Sequence, residues 1–272
     1  MRSLFFLLAL GLAGSSLIAQ TFPTPVNDIV TDRDATTSPA LPQPHLRAAD
    51  VMWQKRVWRV IDVREKINQT FAYPERPLIS VLLEAAEAGD LQLYSTLSDD
   101  FSVPLTTEER EAIAGQPDTV IVVDPTTEIE SMEIVERELN PAEFTRYRLQ
   151  EIWYFDKTTS TQKVRILGIA PIRDIMGEDG TVRYEQVAFW VYYPGAREFL
   201  SKEIAYTAGN DAANRSWEDL LESRFFNGAV IKESNIHNRR LQEIHASGRD
   251  RLINGRRIDR EIQARESDVW SY

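Results

Sequence analysis

The stretch from residue 149 to residue 193 narrows the possible folds more than any other part of the chain. Residues 149–156 and 162–170 are rich in aromatic and β-branched side chains, and the polar residues 157–161 join them. That is the pattern of two paired strands and their connection. Residues 172–176 continue the extended character. Gly177-Glu178-Asp179-Gly180 is a strong reversal signal, and residues 181–193 return from it. Upstream, residues 120–123 form a short β-branched run closed by Asp124-Pro125, and residues 129–135 alternate acidic with apolar. Consecutive strands with short connections usually pair as neighbours. The expectation is an antiparallel central sheet.

The flanks carry a different period. Trp53, Val57, Val60 and Ile61 recur at helical spacing, with Lys55, Arg56, Arg59, Arg64 and Lys66 between and after them, which predicts a helix over residues 46–68. Phe71-Ala72-Tyr73-Pro74 ends it. A second helix is expected from Pro77, with Leu78, Leu82 and Ala85 on one face and Gly89 as its stop. Thr106 and Glu109 have capping-box spacing within mixed loop and helix over residues 90–118. After Pro194 helices are expected over residues 196–204, 217–226 and 235–247. Ser216 is the cap of the middle one, with Glu218 and Asp219 in its first turn. The fold class is therefore α+β: an antiparallel central sheet flanked by N- and C-terminal helices. This domain covers residues 47–247, between a proline-rich extended segment (20–46) and a polar, Arg-rich tail (248–272).

The amino end bears on where such a domain works. Met1-Arg2-Ser3, an apolar run to Ala13 and a small-residue patch to Ala19 have the layout of a secretory signal peptide, with cleavage expected after Ala19. The run is too short for roughly 30 Å of hydrocarbon, and no Cys follows it to accept lipid. The expectation is an exported protein. Pro23, Pro25, Pro39, Pro42 and Pro44 then alternate with polar residues, too few of them apolar to form a core. With no Cys in the chain, disulfides and thiol chemistry are both excluded. Stability must come from a hydrophobic core, which 43% hydrophobic residues and six Trp allow. A net charge of −11 disfavours nucleic acid and anionic lipid as partners.

Motifs for catalysis are few. His45, His237 and His245 are the only histidines, and the last two would stand about 12 Å apart on a helix, too far to share an ion. Gly209-Asn210-Asp211 resembles a cation loop faintly and an Asx turn more closely. Neither nucleophile elbows nor phosphate-binding glycine loops occur, and no cofactor is expected. Glu151 and Asp156 flank Trp153-Tyr154-Phe155, so a carbohydrate-binding or hydrolase site using these carboxylates is the alternative reading. Strands place aromatics on both faces of the predicted sheet, so one face needs covering by a helix or by another chain. Trp53, Trp58, Trp153 and Trp190 are the candidate interface residues there. Trp53 and Trp58, about 140° apart on a helix at ~100° per residue, should divide between core and partner. Arg256 and Arg257 lie in a locally positive segment, read either as a solvated tail or as a complement to an acidic neighbouring copy.

Several strings resemble one family. Trp53-Gln54-Lys55-Arg56-Val57-Trp58-Arg59, then Ile61-Asp62, Arg64-Glu65-Lys66, Asn68 and Phe71-Ala72-Tyr73-Pro74 form its first block. Glu151-Ile152-Trp153-Tyr154-Phe155-Asp156-Lys157 and Val164-Arg165-Ile166-Leu167-Gly168-Ile169-Ala170-Pro171 follow. Asn210-Asp211-Ala212, Ser216-Trp217-Glu218-Asp219 and Ile231-Lys232-Glu233-Ser234-Asn235 complete the set. In that order they resemble the gliding-motility protein family GldN, called PorN in non-gliding relatives. The resemblance implies a periplasmic, non-catalytic protein of the type IX secretion system. It implies a ring formed with a GldK/PorK-like outer-membrane lipoprotein, and contact with a GldM/PorM-like periplasmic motor protein. No block covers the proline-rich segment or the Arg-rich tail.

Overall fold

The computed structural model describes residues 39–114, 117–123, 130–136, 140–177, 180–209 and 215–270. The expected signal peptide, most of the expected proline-rich segment, Glu178-Asp179 of the expected reversal and Asn210-Asp211 lie outside the described residues. The described residues form one compact unit.

In chain order, strand β1 (Val51–Asp62) leads through a 3₁₀ turn (Lys66–Ala72) to helix α1 (Leu78–Ala88), strand β2 (Leu93–Tyr94) and helix α2 (Thr107–Ala114). Strands β3 (Pro117–Val123) and β4 (Glu130–Glu136) form a separate hairpin. Next come strands β5 (Phe144–Asp156), β6 (Thr161–Met176), β7 (Val182–Val187) and β8 (Trp190–Tyr192), then helix α3 (Tyr193–Leu200). The short strands β9 (Ile204–Ala205) and β10 (Arg215–Ser216) precede helix α4 (Trp217–Glu222), strand β11 (Ala229–Glu233) and helices α5 (Leu241–Ile244) and α6 (Gly248–Trp270). The class is α+β, as expected. The main sheet is antiparallel throughout, in the order β11-β1-β5-β6-β8-β2, with β7 also on β6. β6 is long enough that β8 pairs with Gly168 and Ile169 while β7 pairs further along, from Ile172 to Met176.

The expected first helix is instead the strand β1, joined to β5 through an eleven-pair register from Val51↔Asp156 to Asp62↔Arg146 and to β11 on its other edge. The reason is arithmetic. Residues 53, 57 and 61 are four apart, which is close to one helical turn and also an even number, so a strand likewise puts them on one face. Exposure of Met52, Gln54 and Arg56, alternating with more protected neighbours, reveals the true period of two. Val51, Trp53, Val57, Trp58, Val60 and Ile61 are β-branched or aromatic, which suits the pleated surface.

Other boundaries also moved. Only Leu241–Ile244 is helical within residues 235–247. There the Asn235 side chain accepts from the Arg239 N–H and donates to its carbonyl (3.0 and 2.8 Å), closing a loop that competes with a helical turn. The segment from Gly248 onward, expected as a polar tail, is helix α6, and its Ile258 and Ile262 are buried with Val57, Val230 and Leu241. Gly255 permits that approach, since a Cβ there would stand 2.6 Å from the Val230 carbonyl oxygen. Residue 247 is thus no structural boundary.

Local signals elsewhere behaved as read. Gly89 ends α1 in the left-handed conformation (φ 84°). Thr106 and Glu109 exchange capping hydrogen bonds before α2, and Ser216 and Asp219 do so before α4.

One sheet face carries the main core. Ile61, Tyr147, Leu149, Ile166, Ile169 and Val191 pack there against α1, α3 and α4. Phe71 fills the centre, with ring centroids 5.5 Å from Tyr147 and 5.4 Å from Trp217. At its far end the same face meets α5 and α6. The other face bears a smaller cluster of Trp58, Ala170 and Trp190, with Tyr94, Phe101, Val187 and Ile231 against it. Phe101 comes from the loop after β2 and meets Trp190 edge-on at 5.9 Å. The second aromatic face is therefore covered in part by the chain's own loop.

Candidate functional site

The candidate carboxylates come first. Glu151 and Asp156 are five residues apart on β5, an odd number, so they project to opposite faces of the sheet. They cannot flank one glycosidic bond.

Glu151 is completely buried. Its Oε1 accepts from Arg224 Nη1 at 2.9 Å, its Oε2 accepts from the Trp153 indole N–H at 3.0 Å, and Arg59 Nε stands 3.6 Å away. Arg59 in turn donates to the Gly228 carbonyl (2.6 Å) and pairs with Asp259 of α6 (2.6 Å). Arg59 holds its proton more tightly than usual: desolvation opposes the charge, and the Glu151 and Asp259 carboxylates outweigh it. Arg224 also lies over the Trp153 ring, 5.0 Å from its centroid. The result is a chain of charges, Asp259–Arg59–Glu151–Arg224, that ties the C-terminal helix through two central strands to the segment after α4. Sequence reasoning missed it. The one available signal was Arg59 amid apolar residues, and it was absorbed into a helical polar face.

Asp156 organises the β5–β6 turn. Its carboxylate accepts from the Thr158 N–H (2.9 Å), the Thr159 hydroxyl (3.0 Å) and Lys163 Nζ (2.7 Å). The Lys163 hydrogen bond is the main reason its pKa falls from 3.8 to about 2. A depressed carboxylate contributes stability above its unfolded pKa and loses it as pH falls through the folded one. The stability difference between wild type and Asp156→Asn is accordingly expected to be full above about pH 4 and to shrink steadily toward pH 2. Urea titrations at pH 6, 4 and 3 read it. A difference that stays constant with pH would remove the carboxylate from this role.

The aromatic candidates are largely occupied by the chain itself. Trp53 and Trp58 do lie on opposite faces, because five is odd in a strand, but both pack inward. Trp53 joins the α6 cluster, with Arg265 over its ring at 5.9 Å, and Trp58 is 5% exposed in the opposite cluster. Trp190 is buried beside Trp58, and Trp153 is half-buried beside Glu151. Arg256 and Arg257 are exposed on α6, Arg257 in a loose pair with Glu261 (3.3 Å).

The last described residues of the proline-rich segment are also engaged. The Leu41 N–H donates to Glu218 (3.1 Å), Gln43 donates to Glu222 (3.2 Å), and Arg197 bonds the Leu41 carbonyl while pairing with the buried Glu218 at 2.5 Å. Among the described residues no helix is long and apolar enough to cross a membrane, and no group of His, Cys, Asp and Glu could hold a metal ion.

These features describe a domain in which buried charge and most of the candidate aromatics join its own elements, from the segment before β1 to α6. The comparison with known families covers the same extent. The model of the gliding motility associated protein GldN matches residues 46–271. A comparison with curated proteins gives no match. The matched span takes in β1, the whole main sheet and α6, and the chain therefore belongs to the GldN family, a component of the gliding-motility and type IX secretion machinery.

Proposed function

We propose that this chain is a non-catalytic structural subunit of the type IX secretion and gliding machinery, working in the periplasm against the inner side of the outer membrane. It assembles there into a ring with a GldK/PorK-like lipoprotein and meets the GldM/PorM-like motor. The observation that carries this reading is the family match over nearly the whole folded unit. The export signal read at residues 1–19 and the lack of any Cys to accept lipid fit a subunit anchored through its lipoprotein partner. The hydrolase alternative loses its support, because Glu151 is sealed beneath two arginines and Asp156 holds a turn on the opposite face.

The exposed Arg256 and Arg257 give α6 a positive outer edge on a chain of net charge −11. That edge suits an acidic surface on the neighbouring subunit. Of the four tryptophans, Trp58 and Trp190 are buried, and the half-buried Trp53 and Trp153 keep the surface that a partner could meet.

Co-expression with the lipoprotein, followed by size-exclusion chromatography with light scattering, is expected to yield a very large co-purifying assembly. Arg256→Glu combined with Arg257→Glu is expected to reduce that assembly while leaving the far-ultraviolet spectrum unchanged. A stable monomer that ignores the lipoprotein would overturn the reading.

A further inference from the structure

The sheet face that carries Trp58 is incompletely filled. An open cavity of about 520 Å³ remains between the loop after β2 and the segment after β11. Three cationic side chains line it: Arg148 from β5, Lys232 from β11 and Arg240.

Their neutralisation is uneven. Lys232 is 7% exposed, rests 4.0 Å above the Trp58 ring centroid and is 3.7 Å from Asp99. Glu185, also at the cavity, is already paired with Arg146, and Glu243 is exposed. Among the described residues, Arg148 and Arg240 make no ion pair or side-chain hydrogen bond, and Arg148 Nε is fully shielded from solvent without an acceptor. Burial, and then repulsion from Arg240, lowers the Arg148 pKa from 12.5 to about 10. One further donor lines the cavity: the indole N–H of Trp58 has no acceptor. Gln150, completely buried and paired across from Trp58, leaves both its amide nitrogen and its amide oxygen without a partner and does not line the cavity.

Shielded donors without acceptors are rare in folded proteins and costly to maintain. A single oxyanion would supply acceptors to Arg148 and Trp58 and a countercharge to the Arg148–Arg240 pair at once. We infer that this cavity is a binding site for a small oxyanion group, a carboxylate or a phosphate, held between Arg148, Arg240 and Trp58. The overall charge of −11 repels anions, so any affinity must be local to this site.

The test is isothermal titration of the full mature chain with inorganic phosphate and with citrate, against sodium chloride at matched ionic strength. Saturable binding of either anion, with none for chloride, is expected. The tighter of the two identifies the group as phosphate or carboxylate. Arg240→Gln, before the first turn of α5, is expected to weaken binding about tenfold or more, and Arg148→Gln to do the same. Arg76→Gln, which breaks an exposed pair with Glu203 on another surface, is expected to change nothing. The proposal falls if neither anion binds saturably, or if both bind equally well to the Arg148→Gln/Arg240→Gln double variant. This readout needs no lipoprotein and no assembly, so it stands or falls apart from the ring.

Discussion

Ending the chain at residue 247 is expected to destabilise the whole domain by about 5 kcal/mol or more, far beyond the loss of a polar tail. Ile258 and Ile262 of α6 are buried, and each such side chain contributes about 1.5–3 kcal/mol when taken from water. Truncation also uncovers Val57 and Val230 beneath them and takes Asp259 away from the buried Arg59. Domains of this kind hold only about 5–15 kcal/mol in total, so the shortened chain should melt at least about 10 °C lower or fail to fold. Thermal unfolding of the full and truncated chains measures this. Ile258→Ala and Ile262→Ala, expected to cost about 2–5 kcal/mol each, separate lost packing from a general effect of shortening. Melting within a few degrees of the full chain would show that α6 is only draped on the sheet.

The second large effect is at Glu151. Replacing it with Gln leaves two arginines facing a neutral amide in a site closed to water. Removing one partner of a buried ion pair typically costs about 3–5 kcal/mol, because the remaining charge stays desolvated. A loss of that size in the urea unfolding free energy, read as a lower midpoint, is expected for Glu151→Gln. A variant with Arg59→Met and Glu151→Leu together should recover most of it, since the two buried charges leave as a pair and the partly exposed Asp259 can turn to solvent. Recovery by the double variant marks the pair as structural. If Glu151→Gln is as stable as wild type, the charge network does not hold the sheet as described.

These two sites also show which inferences local sequence supports. Gly89 stopped its helix and Ser216 opened another because caps are settled by residues within one turn of each other. Residues 149–170 were legible as paired strands because their partners are adjacent in sequence and joined by a tight turn that Asp156 holds. β1 was misread because a four-residue spacing satisfies a helix face and a strand face alike. Only pairing with β5, some ninety residues later, and with β11, some one hundred and seventy later, decides between them. α6 was misread for a related reason. Three isoleucines among six arginines look like a solvated tail until Gly255 brings the helix onto the backbone at Val230.

The same division holds for the candidate residues. The ordered motif blocks between residues 53 and 235 sufficed to place the chain in its family, since such motifs are properties of the string itself. Composition likewise decided that stability rests on apolar packing without disulfides. Whether Glu151 and Asp156 could cooperate was a question of strand parity, and whether Trp58 was free was a question of what lies over it. The meeting of Arg148 with Lys232 and Arg240 around one cavity depends on β5 and the segment from β11 to α5, more than eighty residues apart in the chain. Charge in water is cheap almost anywhere in a sequence, and only the tertiary structure decides where it is buried, paired or left waiting for a partner.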